Sequence, residues 1–122
     1  MSTQIEVLMV TGSFNLPFKV MYDEAAVKDM LKLDKPLRLR VHNKILEVAQ
    51  NPLSITEGGR GFPLGNKMGL NLSEFFKIKL QGIGIRAVYE LKRIDNEMVI
   101  IVVGVRDEEA VYREAVKRIK KR

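Results

Sequence analysis

The sequence predicts an α+β fold: an N-terminal αα-hairpin packed on a small, mainly antiparallel sheet, closed by a C-terminal helix. Three observations predict it. Two stretches with helical apolar spacing lie between a first strand-like run and a Gly-rich loop. Three strand-like runs follow, punctuated by Gly82 and Gly84 and then by Asp95-Asn96. The last segment, Glu108–Lys121, carries acids at its start and bases at its end, as a helix macrodipole favours. The order is β-α-α-β-β-β-α.

Residues 1–16 form an N-terminal extension, and its apolar stretch Ile5–Val10 could add a strand. Residues 17–122 read as a single domain. Phe18–Tyr22 is the first strand. Asp23 caps a short helix through Leu31, with Val27, Met30 and Leu31 facing inward. Asp34 caps the second helix, and Pro36 sits in its first turn, where a missing N–H costs little. Leu37, Val41, Ile45 and Val48 make its apolar stripe, and Asn51-Pro52 ends it. Ser54–Ser73 is a long Gly-rich loop, which in a small domain is either functional or mobile. The strands are then Phe75–Leu80, Ile85–Ile94 and Met98–Val105. Val99–Val103 is apolar without alternation, so this strand is central and covered on both faces.

The chain has 122 residues, 46% of them apolar, enough for one core. Its formal charge of +6 and pI of about 9.7 raise the odds of a nucleic-acid partner. The absence of cysteine excludes disulfides, thiol catalysis and Cys-based zinc sites, and suits a reducing cytoplasm. No segment is long enough to span a membrane, and Ile5–Val10 lacks the basic flank of a signal peptide.

Gly82-Ile83-Gly84-Ile85-Arg86-Ala87 matches a dinucleotide-binding pattern only formally. That motif needs a helix after it, and a strand follows here, so the glycines read as a hairpin turn. His42, the only histidine, falls off the apolar stripe and reads as solvated or boundary. No His and carboxylate cluster has metal-ligand spacing, and no cofactor is implied. Asp107, Glu108 and Glu109 read as first-turn dipole partners. The tail Lys117, Arg118, Lys120, Lys121 and Arg122 reads as a solvated helix end, with a secondary role in touching RNA or a partner.

The chemistry-bearing feature is a set of cations. Lys77 and Lys79 alternate with Phe76, Ile78 and Leu80, so both lysines share one sheet face. Arg86 opens the next run, Arg106 closes the one after, and Tyr112 follows in the last helix. Two readings stand equal on these residues: a solvated face paired with Glu90 and its neighbours, or an anion site for a phosphate. If Leu80 opposes Ile85, Lys79 opposes Arg86. A three-residue loop Asp95–Glu97 would pair Ile94 with Met98 and set Arg86 opposite Arg106.

Four motifs carry a family resemblance: Phe76-Lys77-Ile78-Lys79-Leu80, Gly84-Ile85-Arg86-Ala87-Val88-Tyr89, Val103-Gly104-Val105-Arg106 and Val111-Tyr112-Arg113-Glu114-Ala115-Val116-Lys117-Arg118. Together they resemble the RelE toxins, ribosome-dependent mRNA endonucleases of toxin–antitoxin systems. The likeness is dense over 75–118, in register over 18–46, and does not reach 1–16. The loop Ser54–Ser73 is longer than the family's usual one. The resemblance implies a RelE-like fold and a catalytic set of Lys77, Lys79, Arg86, Arg106 and Tyr112. Gln81 stands where RelE itself has a further basic residue that helps hold RNA. With Lys117, Lys120 and Lys121 it is a candidate RNA contact.

The implied reaction is attack of an RNA 2′-OH on the adjacent phosphate, without metal, on mRNA in the ribosomal A site. It needs a base, an acid and cations for the developing charge. The lone His lies outside the set, which leaves Tyr112 or a lysine for proton transfer. Tyr112 is the leading general base, provided that neighbouring cations lower its pKa. The implied partners are a RelB-like antitoxin with an acidic segment, the ribosome and mRNA. Two other readings remain on sequence: a non-catalytic ParE-like inhibitor of a protein such as DNA gyrase, and a plain RNA-binding module.

Overall fold

The computed structural model describes residues 2–3, 17–65, 71–105 and 107–121. Its strands are β1 (Ser2–Thr3), β2 (Lys19–Asp23), β3 (Phe62–Pro63), β4 (Phe75–Leu80), β5 (Ile85–Lys92) and β6 (Glu97–Gly104). Its helices are α1 (Glu24–Leu31), α2 (Lys35–Ala49) and α3 (Glu108–Lys120). Among the described residues the sheet runs β1-β2-β6-β5-β4-β3. β2 and β6 are parallel, and every other neighbouring pair is antiparallel.

Within 1–16, Ser2 and Thr3 form β1, paired with Asp23 and Tyr22. The apolar stretch Ile5–Val10 lies outside the described residues. α1 starts after Asp23, whose side chain makes no capping bond to the helix. Ala26 and Met30, one turn apart, are its fully buried pair. Leu31 does not face inward as its apolar character implies. It is 63% exposed, because the residue after Met30 turns about 100° away from the sheet. α2 is capped as expected: the Leu37 N–H donates to Asp34 Oδ1 at 3.0 Å, with Pro in the first turn. Val41, Ile45 and Val48 are buried.

His42 contradicts the sequence reading. It is fully buried, stacks on Tyr22, and its Nδ1 is hydrogen-bonded to the Tyr22 hydroxyl at 2.6 Å. The buried face of α2 is wider than the four-residue stripe, so a residue beside Val41 also turns under the helix.

The long loop holds structure of its own. A 3₁₀ turn, Ile55–Glu57, precedes β3, which pairs with β4 through Phe62↔Lys77 and Pro63↔Phe76. Tyr89 donates to the Pro52 carbonyl at 2.6 Å, and Arg93 forks between Glu57 and Glu74. Residues 66–70 of the loop lie outside the described set.

The two faces of the sheet have separate cores. α1 and α2 cover one, with Phe76, Ile78, Leu80, Tyr89 and Ile100 beneath them. α3 covers the other, burying Val111, Tyr112, Ala115 and Val116 against Val88 and Val102. Each fully buried Val contributes roughly 1.5–3 kcal/mol relative to exposure. β6 lies between β2 and β5, and Met98 through Val103 are buried on both faces, as a continuous apolar strand requires.

Candidate active site

The alternation of β4 sets the site. Phe76, Ile78 and Leu80 point under α1 and α2, and the intervening Lys77 and Lys79 point to the α3 side. The β4–β5 turn is tight, with Gly82 and Gly84 at φ 87° and 66°. Side chains rarely adopt these angles, so glycines belong there. The turn pairs Leu80 with Ile85 and Lys79 with Arg86, as the spacing predicts. Two cations therefore stand opposite each other on one face, a destabilising pair unless an anion joins them.

The β5–β6 register differs from expectation. Lys92 pairs with Glu97 across a four-residue turn, in which Asn96 has φ 53°. Continued unbroken, that register would set Arg86 opposite Val103. A β-bulge shifts it beside Val88/Tyr89, so Tyr89 faces Ile100 while Val88 faces Val102. Arg86 consequently opposes Gly104, not Arg106. Arg106 lies outside the described residues.

α3 supplies the remaining groups. Its cap is Asp107, which accepts from the Ala110 N–H at 3.0 Å. Tyr112, 4% exposed, lies one turn in, with Lys77 Nζ 5.2 Å from its ring centroid. Its hydroxyl donates to Glu108 Oε1 at 2.9 Å, and Lys79 Nζ reaches the same oxygen at 2.8 Å. Arg86 Nε is buried with no hydrogen-bond acceptor among the described residues.

The electrostatics of this cluster correct the sequence reading of Tyr112. Its pKa is raised, first by burial, then by the bond to Glu108 and the Glu108 charge; among the described residues Arg86 acts the other way. Cations do not turn it into a ready tyrosinate. Glu108 is pushed down to about 2, first by its bond to Lys79 and next by the Tyr112 hydroxyl. Sequence reasoning missed Glu108, because an acid in a first helical turn has a sufficient role beside the dipole. The available signal was its spacing: Glu108 and Tyr112 are four apart, hence on one helix face.

A cleft of about 810 Å³ opens on the other side of the two lysines. Arg40, Lys44, Arg60, Phe62 and Gln81 line it together with Lys77 and Lys79. Lys44 and Arg60 both contact Glu47 Oε1, at 3.3 and 3.1 Å, which offsets part of their charge. Phe62, 49% exposed beside these cations, offers an aromatic face. Sequence reasoning did not single out Arg40, Lys44, Arg60 or Phe62; packing of α2 beside β4 brings the first two to the lysines, and the β3–β4 pairing brings the loop residues.

The tail is not drawn to the site. Lys117, Lys120 and Lys121 are exposed in the last turns of α3, roughly 7–14 Å along the axis from Tyr112. Arg118 is no solvated tail residue. It forms a bidentate pair with buried Asp29. Arg122 lies outside the described residues.

No family model matches the chain. Over 100 residues it is 37% identical to the mRNA interferase toxin RelE of Escherichia coli strain K12, spanning 80% of this chain and 93% of that one. The chain belongs to the RelE family. A RelE neighbour in three dimensions is a double arginine-to-alanine mutant of the E. coli toxin in the free state. It superposes with a TM-score of 0.62 at 31% identity, over 85% of this chain and 98% of that one. The same mutant bound to an antitoxin RelBc peptide gives 0.60 at 29% identity, over 84% and 98%. In this RelE-family chain, α3 brings a carboxylate, Glu108, into contact with the lysine and tyrosine of the cluster.

Proposed function

We propose that this chain is the toxin of a type II toxin–antitoxin system, a metal-independent endoribonuclease that cleaves mRNA in the ribosomal A site and so inhibits translation. One observation carries the reading: Lys77, Lys79 and Arg86 gather on one sheet face beside Tyr112, with Arg86 Nε lacking an acceptor among the described residues. That arrangement suits a phosphate whose negative charge grows during reaction. The name of the E. coli relative, an mRNA interferase toxin, supports it independently.

In this reading Arg86 and Arg106 hold the phosphate and its developing charge. Lys79, drawn from Glu108 to the phosphate, stabilises the same charge. Lys77 or Lys79 gives a proton to the departing 5′-oxygen. Tyr112 receives the proton of the attacking 2′-OH. The basic cleft with Phe62 gives the RNA strand a path away from the scissile phosphate, with Gln81 among its lining residues. Lys117, Lys120 and Lys121 add charge at a distance, so their contribution is to salt-dependent binding. The ribosome contributes by presenting mRNA in a reactive conformation. A ribosome substrate places the protein in the cytoplasm, and no described helix is long and apolar enough to cross a membrane. The silencing partner is a RelB-like antitoxin with an acidic segment, in keeping with the +6 charge and with the RelBc complex of the relative. Residues 1–16 are an extension to the toxin domain 17–122.

Primer extension on mRNA from programmed ribosomes, with and without the protein, tests the proposal. New stops within the A-site codon are expected. Intact mRNA together with arrested DNA replication on induction would overturn it.

A further inference from the structure

Glu108 has no place in the scheme above, yet one of its oxygens touches two members of the cluster. Oε1 accepts from the Tyr112 hydroxyl at 2.9 Å and lies 2.8 Å from Lys79 Nζ. The bond to Tyr112 spans one helical turn of α3, so the backbone holds it. It also poses a difficulty. A hydroxyl that donates to a carboxylate is held protonated, and Tyr112 is buried besides, so tyrosinate is a poor resting base.

We infer that Glu108 is the proton acceptor behind Tyr112, a positioning residue that lets a neutral tyrosine serve as the base. This rests on the ribonuclease reading. As the substrate's 2′-oxygen forms its bond to phosphorus, its proton passes to the Tyr112 oxygen. The Tyr112 proton passes in the same step to Glu108 Oε1. The bond from phosphorus to the 5′-oxygen breaks, and that oxygen takes a proton from a lysine ammonium. The products are a 2′,3′-cyclic phosphate and a 5′-hydroxyl. Glu108 then releases its proton to solvent and the lysine regains one.

The resting site favours this order of events. Before substrate arrives, Lys79 keeps Glu108 ionised and a weak acceptor. An incoming phosphate competes with Glu108 for Lys79. Once Lys79 turns to the phosphate, Glu108 loses its strongest cationic partner and gains a nearby anion. Both changes raise its proton affinity when the proton must move. Among the described residues, the other charged groups about this pair are Lys77 from β4, Arg86 from β5, and Asp107 and Glu109 beside Glu108 at the start of α3. Asp107 is occupied by the Ala110 N–H.

The test is single-turnover cleavage on saturating programmed ribosomes from pH 6 to 8.5, for the parent, Glu108→Gln and Tyr112→Phe. Gln keeps the shape and a hydrogen-bond acceptor but cannot accept the proton. Glu108→Gln should cut about 10–100-fold more slowly at pH 7. Its rate should climb close to tenfold per pH unit, because Tyr112 must now ionise, while the parent stays nearly flat. Tyr112→Phe should be slow at every pH. A Glu108→Gln rate equal to or above the parent's, or a uniform drop with the parent's pH profile, would overturn the inference while leaving the ribonuclease reading intact. A parent that cleaves nothing on programmed ribosomes would overturn both.

Discussion

Arg118 and Asp29 close on each other where β2 stops covering β6. β2 pairs with β6 as far as Tyr22↔Ile100. Just beyond, Arg118 Nη1 donates to the Ile101 carbonyl at 2.9 Å and to Asp29 Oδ2 at 2.7 Å, and Nη2 donates to Asp29 Oδ1 at 3.1 Å. Asp29 Oδ2 also accepts from the Val103 N–H at 3.0 Å. One ion pair thus completes the backbone bonding of the bulged strand and joins α1 to α3. It anchors the helix that carries Glu108 and Tyr112.

Breaking that pair from one side should be costly. Arg118→Met leaves a buried carboxylate without its cation, and a loss of about 3–5 kcal/mol is expected in urea unfolding. The double change Arg118→Met with Asp29→Leu should recover part of it, because no lone charge remains, although the Val103 N–H then lacks its acceptor. A single-variant loss below about 1 kcal/mol would place the pair with weak surface bridges.

The buried His42 should make stability depend on pH. Burial lowers its pKa from 6.5 to about 4. Below pH 6.5 the unfolded chain binds a proton that the folded one refuses. Stability is therefore full above pH 6.5 and falls as pH drops toward 4, by roughly 2–3 kcal/mol from this group. Urea midpoints across pH 4–7 check this, and His42→Phe should flatten the curve while lowering its plateau, since the bond between the Tyr22 hydroxyl and the imidazole is lost. His42 packs in the core beneath α1 and α2, on the face opposite Tyr112. Cleavage by folded His42→Phe should match the parent.

Arg86→Ala should cost roughly 2–4 kcal/mol of transition-state stabilisation, on the scale of one lost oxyanion donor. Because this also removes a cation facing Lys79, folding should be unharmed or slightly improved. Single-turnover rates beside urea midpoints separate the two effects. Loss of cleavage that only follows loss of folding would count against a chemical role.

The β4–β5 hairpin was legible because each signal agreed: alternation chose the face, and Gly82 and Gly84 fixed the turn. The β5–β6 pairing was not. Its turn has four residues rather than three, and the compensating bulge beside Val88/Tyr89 is one that no local pattern announces. The lysines, Arg86 and Tyr112 were found because their spacing is family-specific. Glu108 was missed because an acid in a first turn already has an explanation. Phe62 and Arg60 were hidden in a loop whose only sequence mark was glycine.

Gly104 offers a test of how tightly the helix must sit. It opposes Arg86 at the end of β6, and a Cβ there would lie 2.8 Å from Val111 Cγ2. Val111 is a buried, β-branched residue one position before Tyr112, with little freedom to turn aside. Gly104→Ala should push the first turn of α3 outward by a few tenths of an ångström and cost about 1–3 kcal/mol as overpacking. The larger effect should fall on cleavage, since Glu108 and Tyr112 ride on that turn while Lys79 and Arg86 stay with the sheet. A rate loss of tenfold or more in protein that remains folded is expected. Pairing Gly104→Ala with Val111→Ala, which clears the contact, should restore much of the rate although it removes buried apolar volume. If the double variant cuts no faster than Gly104→Ala alone, displacement of α3 is not what slows the reaction.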